Sequence, residues 1–287
     1  MVDVGVKNGD ASVASTAAKT TAAAPGINGT SRIGLTGTED LGGGLAAYFT
    51  AETSLDNAHG ATATAFGNRG AFVGVKGAFG SIDAGASRLS PSFYAYAAVD
   101  PSQTNNYSIG AQGGNARNDA SVNYTSNNLG GLVVRASAVL KDNTAAALGA
   151  DPTNYGFVAG KGYYDLSGVY TAGALTAAAS YANNGTTNGN LVGAAYNFGP
   201  ATVMASTTKR MGQKTDNGTK QWNVGVIAPV GAALTLSADF SKNKDTSVKS
   251  SVFAAQYALS KRSSLTAYAK KVDTKQNELG FGLRHNF

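Results

Sequence analysis

Leu234-Thr235-Leu236-Ser237-Ala238-Asp239-Phe240-Ser241 alternates without exception, apolar at the even positions and polar at the odd ones. A β-strand turns successive side chains to opposite faces, so this octet presents one Leu/Ala/Phe face and one Thr/Ser/Asp face. The same period runs through 278–287: Leu279, Phe281, Leu283 and Phe287 share one face, and Glu278, Gly280, Gly282 and Arg284 the other. His285 interrupts the apolar row near its end. Leu45, Ala47, Phe49 and Ala51 oppose Tyr48, Thr50 and Glu52, and Phe253, Ala255, Tyr257 and Leu259 form one more row. Helix has little support. Glycine fills 37 of 287 positions, and each costs about 0.8–1 kcal/mol in a helix interior. The alanine-rich run at 17–24 ends at Pro25-Gly26 between threonines and reads as loop.

Two kinds of link separate the alternating segments. Tight ones fall at 40–43, 77–80, 128–130, 171–173, 199–200, 230–231 and 260–262. Longer polar ones fall at 9–29, 54–68, 88–119, 141–154, 183–189, 212–219 and 243–247, with a last small one near 273–277. Counting the segments between them predicts sixteen strands in one domain over 1–287. Sixteen spans of roughly 10 residues take about 160, leaving about 127 for turns and loops. Short links at one end and long links at the other describe a transmembrane antiparallel up-and-down β-barrel. A soluble sandwich also alternates, but it has fewer strands and no such asymmetry between its ends.

Composition narrows the classes further. Charged residues make up 14% of the chain, against roughly 25% in an average soluble domain. There are no cysteines, which removes disulfide scaffolds, thiolate metal sites and cysteine nucleophiles. No apolar run reaches the roughly 18 residues of a membrane helix, and Met1-Val2-Asp3-Val4 carries no signal-peptide pattern. The formal charge is +6, but its lysines and arginines are scattered, which argues against a nucleic-acid partner. Polar rows bearing Glu52, Asp239, Glu278 and Arg284 suit a water-filled lumen, because about sixteen strands enclose more space than side chains fill. Tyr163, Tyr164, Tyr170, Tyr181, Tyr196, Phe198, Trp222 and Tyr257 lie mostly near predicted strand ends, where interfacial girdles belong.

Several stretches resemble the Gram-negative general diffusion porins, in the branch typical of β-proteobacteria. Ser31-Arg32-Ile33-Gly34-Leu35-Thr36-Gly37-Thr38-Glu39-Asp40-Leu41-Gly42-Gly43-Gly44-Leu45 is similar to the family's second strand and first periplasmic turn. Asn68-Arg69-Gly70-Ala71-Phe72-Val73-Gly74-Val75-Lys76-Gly77 resembles its strand-four hairpin. Asn115-Ala116-Arg117-Asn118-Asp119 resembles the exit from its inward-folded third loop, and Gly282-Leu283-Arg284-His285-Asn286-Phe287 its terminus. Family members usually begin several residues further upstream, so the first strand is expected to be short.

The resemblance implies an outer-membrane channel for small hydrophilic solutes and ions, a homotrimer among membrane lipids and lipopolysaccharide, and no cofactor. The link 54–68 would then reach a neighbouring subunit, and the loop 88–119 would fold inward as the constriction. Arg32, Arg69 and Arg117 match the family's basic positions. Arg32 has lumen parity; Arg69 shares parity with Ala71, Val73 and Val75, and Arg117 lies on a loop. Arg88 stands near the place of a family Gly-Arg pair and is a further candidate. A turn centred on Gly42 would set Glu52 opposite Arg32, and Asp100 is the loop's internal carboxylate. Rings of basic groups favour anions, so the channel leans anion-selective. No catalytic or metal residues are expected. His59 and His285, the only histidines, lie far apart in sequence, and neither a Gly-x-Ser-x-Gly elbow nor a Walker loop occurs. The rivals are an adhesin or anchor barrel with a closed lumen and, further off, an outer-membrane enzyme barrel.

Overall fold

In the computed structural model the described residues are 1–12, 14–24, 26–55, 66–139, 161–211 and 219–287. The alternating segments become strands throughout. They are β1 (Val2–Asn8), β2 (Thr21–Ala24), β3 (Arg32–Gly42), β4 (Leu45–Ser54), β5 (Gly70–Gly77) and β6 (Gly80–Ala86). A two-residue pair, β7 (Arg88–Leu89) and β8 (Arg117–Asn118), brackets the helix α1 (Pro91–Ala97). Then follow β9 (Ser121–Thr125), β10 (Leu132–Val139), β11 (Tyr163–Ala172), β12 (Leu175–Asn183), β13 (Asn188–Asn197) and β14 (Thr202–Lys209). The last five are β15 (Lys220–Val230), β16 (Leu234–Asn243), β17 (Lys249–Ala258), β18 (Ser263–Val272) and β19 (Glu278–His285).

Each strand from β9 to β19 pairs antiparallel with the next, and β3 to β6 do the same before β6 joins β9. β1 then pairs with β19 from Val2↔His285 to Asn8↔Leu279. On its other side β1 takes β2, from Gly5↔Ala24 to Asn8↔Thr21, and meets β3 through the backbones of Met1 and Arg32. The first strand, expected to be short, has seven residues.

Among the described residues the main sheet has seventeen strands, one more than sequence spacing predicts. The addition is β2, in the run at 17–24 that reads as loop. An edge with unpaired N–H and C=O groups accepts any extended segment that reaches it, and small alanines offer no steric objection. Much of the long links 54–68, 141–154 and 212–219 lies outside the described residues.

Outward rows carry the apolar residues: Leu35 is 66% exposed and Phe281 51%. Among the described residues no helix is long and apolar enough to cross a membrane. Strands carry most of the exposed apolar residues, with their backbone groups paired to neighbours as a lipid environment demands. Most of the expected girdle residues face outward, but Tyr163 is 2% exposed and turns inward, where its hydroxyl bonds Asp165 at 3.1 Å. It follows the parity of Asp165 rather than the aromatic habit.

The β3–β4 register also departs from expectation. Arg32 pairs with Ser54 and Gly34 with Glu52, because the turn passes through Gly42, Gly43 and Gly44, all at positive φ, with a register shift after Asp40. Three consecutive left-handed residues are tolerable only as glycine. The hairpin therefore pivots further along the chain than a turn centred on Gly42.

Candidate functional site

After β6 the chain leaves the wall and enters the lumen. β7 and β8 pair at the neck, Arg88↔Asn118 and Leu89↔Arg117. The helix α1 begins where sequence chemistry favours it. Ser90 caps it by accepting the Phe93 N–H at 3.0 Å, and Pro91 occupies the first turn, where its missing donor costs nothing.

This inward loop is fixed along the inner faces of β11 to β18. Ser92 donates its hydroxyl to Asp165 Oδ1 at 2.8 Å and its N–H to Oδ2 at 3.2 Å. Ser102 donates to Asp239 Oδ2 at 2.7 Å. Tyr107 stacks on Tyr268 with ring centroids 4.7 Å apart and accepts from Gln256 at 3.0 Å. On the return limb Gln221 donates to the Ile109 carbonyl at 2.6 Å and Thr208 to the Ala111 carbonyl at 2.9 Å. Ala95, Tyr96 and Val99 bury against Ala178 and Leu191. The wall is cut to receive the loop: a Cβ on Gly225 would stand 2.5 Å from the Pro101 ring.

The basic residues gather on the other part of the wall. Arg32 Nε lies 3.3 Å from Glu52 Oε2, and Arg69 Nε donates to Glu52 Oε1 at 3.0 Å. Arg32 and Glu52 thus meet although they are not rung partners, since a diagonal neighbour two residues on is within reach of long side chains. Arg69 precedes β5 in a turn, so strand parity does not govern it; its N–H bonds the Glu52 carbonyl at 3.1 Å. Arg117 donates through Nη1 to the carbonyls of Arg69 and Ser87, tying the loop neck to the wall. Among the described residues it has no carboxylate in ion-pair contact. Burial first, then the like charge of Arg69, push its guanidinium down to about 10, against the pull of Glu52.

Arg88 turns back to the wall. Its Nε sits 3.2 Å from both Asp83 oxygens, Nη1 donates to the Tyr94 hydroxyl at 3.2 Å, and the guanidinium lies 4.6 Å over the Phe72 ring. Asp100 does not join the arginines. It is 2% exposed and accepts from the N–H groups of Ser102 (3.1 Å) and Thr104 (2.7 Å), holding the loop's own turn together. Burial raises its pKa, opposed by these hydrogen bonds.

Sequence reasoning passed over Asp83, Arg135 and Asp165. All three have inward parity, which was the available signal. Arg135 lies over Tyr94 at 4.1 Å, extending the basic row from β3 as far as β10. Among the described residues no cluster of His, Cys, Asp and Glu fits a metal ion.

The model of the Gram-negative porin family matches residues 1–277 of this chain. The chain belongs to the Gram-negative porin family. The porin is accordingly an outer-membrane protein that forms a diffusion channel for small solutes and ions. Among solved structures it is similar to the anion-selective porin from Comamonas acidovorans, at 22% identity and a TM-score of 0.74, over 100% of this chain and 97% of that one. It is also similar to a triple mutant of the Rhodopseudomonas blastica porin, at 14% identity and a TM-score of 0.74, over 99% of this chain and 97% of that one. At such identities the likeness establishes the fold. Comparison with curated protein sequences gave no match.

Proposed function

We propose that this porin passes small anions in preference to cations, with Arg32, Arg69 and Arg117 as the groups that set the preference. One observation carries the reading: Arg32 and Arg69 share the single carboxylate of Glu52, and Arg117 is held by carbonyls instead of a counter-ion. Along the row from β3 to β10 five arginines, including Arg88 and Arg135, stand against Glu52, Asp83 and Asp119, and Asp119 is taken up by the Ser87 N–H and hydroxyl. A surplus of fixed positive charge in a narrow passage raises the local concentration of anions. The Comamonas relative described as anion-selective has the same fold and fits this reading.

The channel is passive. No catalytic step belongs to the proposal; His285 sits at the end of β19, 2.9 Å from the Ser263 hydroxyl, and His59 lies outside the described residues. The working unit is a homotrimer surrounded by membrane lipids and lipopolysaccharide, as the family resemblance implies. The 54–68 link expected to reach a neighbouring subunit lies mostly outside the described residues.

The test is a reversal potential in a planar bilayer under a salt gradient, for the parent and for Arg117→Ala. Two unit charges 4 Å apart attract by about 1 kcal/mol in bulk water and more where water is partly excluded. Losing Arg117 should therefore lower anion preference several-fold in dilute salt. The loss should shrink near 1 M, where screening acts within about 3 Å. A cation-selective parent would overturn the reading and hand control to lumen acids.

A further inference from the structure

Beside β1, the chain running from β2 into β3 is longer than the wall needs. Met1 and Arg32 exchange both backbone bonds, at 3.1 and 3.0 Å, and pairing resumes at Gly5↔Ala24. β1 covers that interval in four steps and the facing chain in eight. A surplus in one of two paired strands has to leave the ladder. Here it turns into the lumen: Gly26, Ile27 and Asn28 are buried, whereas the outward Val4 and Val6 of β1 are exposed.

The wall is shaped to receive this detour. Gly5 and Gly282 face each other across the β1–β19 pair, and a Cβ on them would stand 2.4 and 2.6 Å from Ile27 Cγ1. The facing glycines leave a hollow that the Ile27 side chain fills, the close approach that glycine inside a strand marks. On this side Asp3 meets the detour instead of a strand. The Ser31 hydroxyl accepts its N–H at 2.8 Å and donates to its carbonyl at 2.9 Å. The Asp3 carboxylate accepts the N–H groups of Ile27 at 2.7 Å and Asn28 at 3.1 Å, and Arg284 Nε at 3.0 Å. Arg284 Nη2 donates to the Asn28 carbonyl. Charge-assisted bonds to a carboxylate are among the stronger ones, and here they fix the backbone of the segment.

The other side of the segment carries the inward loop. The Ile27 carbonyl accepts the Asn106 N–H at 3.2 Å, and the Gly26 carbonyl accepts the Asn106 side-chain amide at 2.9 Å. Ile27 also packs with Tyr107, Tyr268 and Val252 in one buried cluster. Asp165 and Asp239 hold the loop from β11 and β16, and the seat at 26–28 reaches it from the β1 side. Arg32 begins β3 directly after the segment, so one short detour bears on the loop and leads into the arginine wall.

We propose that Ile27 is a positioning residue for the constriction. Keyed into the Gly5–Gly282 hollow, the 26–31 segment is a second inward element that sets how far the loop stands from the arginine wall, and with it the largest solute that passes. The inference deepens the channel reading and rests on it. Pore diameter is one of the terms that decide what a channel admits, and it is separable from the charge of the lining.

The readout is the size of polyethylene glycol excluded from the open channel, recorded with single-channel conductance of the full-length protein in planar bilayers. These polymers are neutral, so the result is independent of which ions the arginines favour. Ile27→Ala vacates most of the hollow, and the exclusion threshold should shift to larger polymers with a rise in conductance. Ile27→Val keeps a branched side chain against the glycines and should restore the parental threshold. Asn106→Ala removes a bond from the loop to the segment and should shift the threshold the same way by less. Both changes act through one seat, so the double variant should match Ile27→Ala instead of adding to it. A lower thermal midpoint with parental threshold and conductance would make Ile27 a packing residue only and overturn the proposal. Additive effects of the two substitutions would overturn it as well. If Ile27→Ala does not assemble, Asn106→Ala decides, and a parental threshold there is equally fatal. A parent without conductance breaks the channel reading itself, whereas a conducting parent indifferent to Ile27→Ala breaks this inference alone.

Discussion

On β3 and β4 the inward Arg32 and Glu52 stand at the lumen surface, while on β11 and β16 the inward Asp165 and Asp239 are sealed beneath the loop, Asp239 at 1% exposure. All four have the same parity in the same kind of strand. What separates them is the loop, which lies along β11 to β18 and does not seal Arg32 and Glu52. Where it lies, an inward carboxylate becomes an anchor for a serine; beyond it, Arg32 and Glu52 stay partly exposed. A porin wall thus uses one alternation for two purposes, and the path of the loop decides which.

The largest test of this contrast removes the anchors. The double variant Asp165→Ala with Asp239→Ala strands the hydroxyls of Ser92 and Ser102, at about 1–3 kcal/mol for each polar group left unpaired. The thermal midpoint in detergent should fall, and the open-channel current should become larger and noisier as the loop loosens. Quiet current of parental size would mean that stacking and packing around Tyr107 and Val99 hold the loop unaided.

A change on the arginine side should act on ions and barely on stability. Glu52→Gln frees Arg32 and Arg69 from their shared carboxylate, so anion preference should rise in dilute salt. The thermal midpoint should move little, since partly exposed pairs contribute about 0–1 kcal/mol. A fall in anion preference would show that Glu52 positions the arginines more than it offsets them.

The smallest expected effect comes from a charge far from either region. Arg262 lies in the exposed turn between β17 and β18, and Arg262→Ala should leave reversal potential and conductance at parental values. A measurable shift would mean that selectivity depends on the overall charge of the barrel rather than on the arginine wall.

Most of the barrel was legible because alternation is local: 234–241 and 278–287 show their two faces without help from any partner. The β2 segment was not, since its four residues are strand only because the β1 edge lies beside them. Arg32 was legible as a lumen residue and Glu52 as its partner, but through the wrong rung; a three-glycine turn moves the register while long side chains still bridge it. Asp100 was misplaced because a carboxylate inside a loop reads as exposed until the N–H groups of Ser102 and Thr104 are seen converging on it. Asp83 and Asp165 were hidden for the converse reason. Parity says that they point inward and nothing about what lies over them.

The pairing of β1 with β19 has a consequence in time. Asp3 and Arg284 meet at 3.0 Å across 281 positions of chain. Bringing together ends that far apart costs closure entropy before any contact repays it, and topologies dominated by distant pairings assemble slowly. Neighbouring hairpins can zip as soon as both their strands exist, but the β1–β19 seam must wait for the final strand. Until then the growing sheet has two raw edges and a hydrocarbon-seeking face, the state in which such chains aggregate. Slow assembly and a need for escort follow from that one seam.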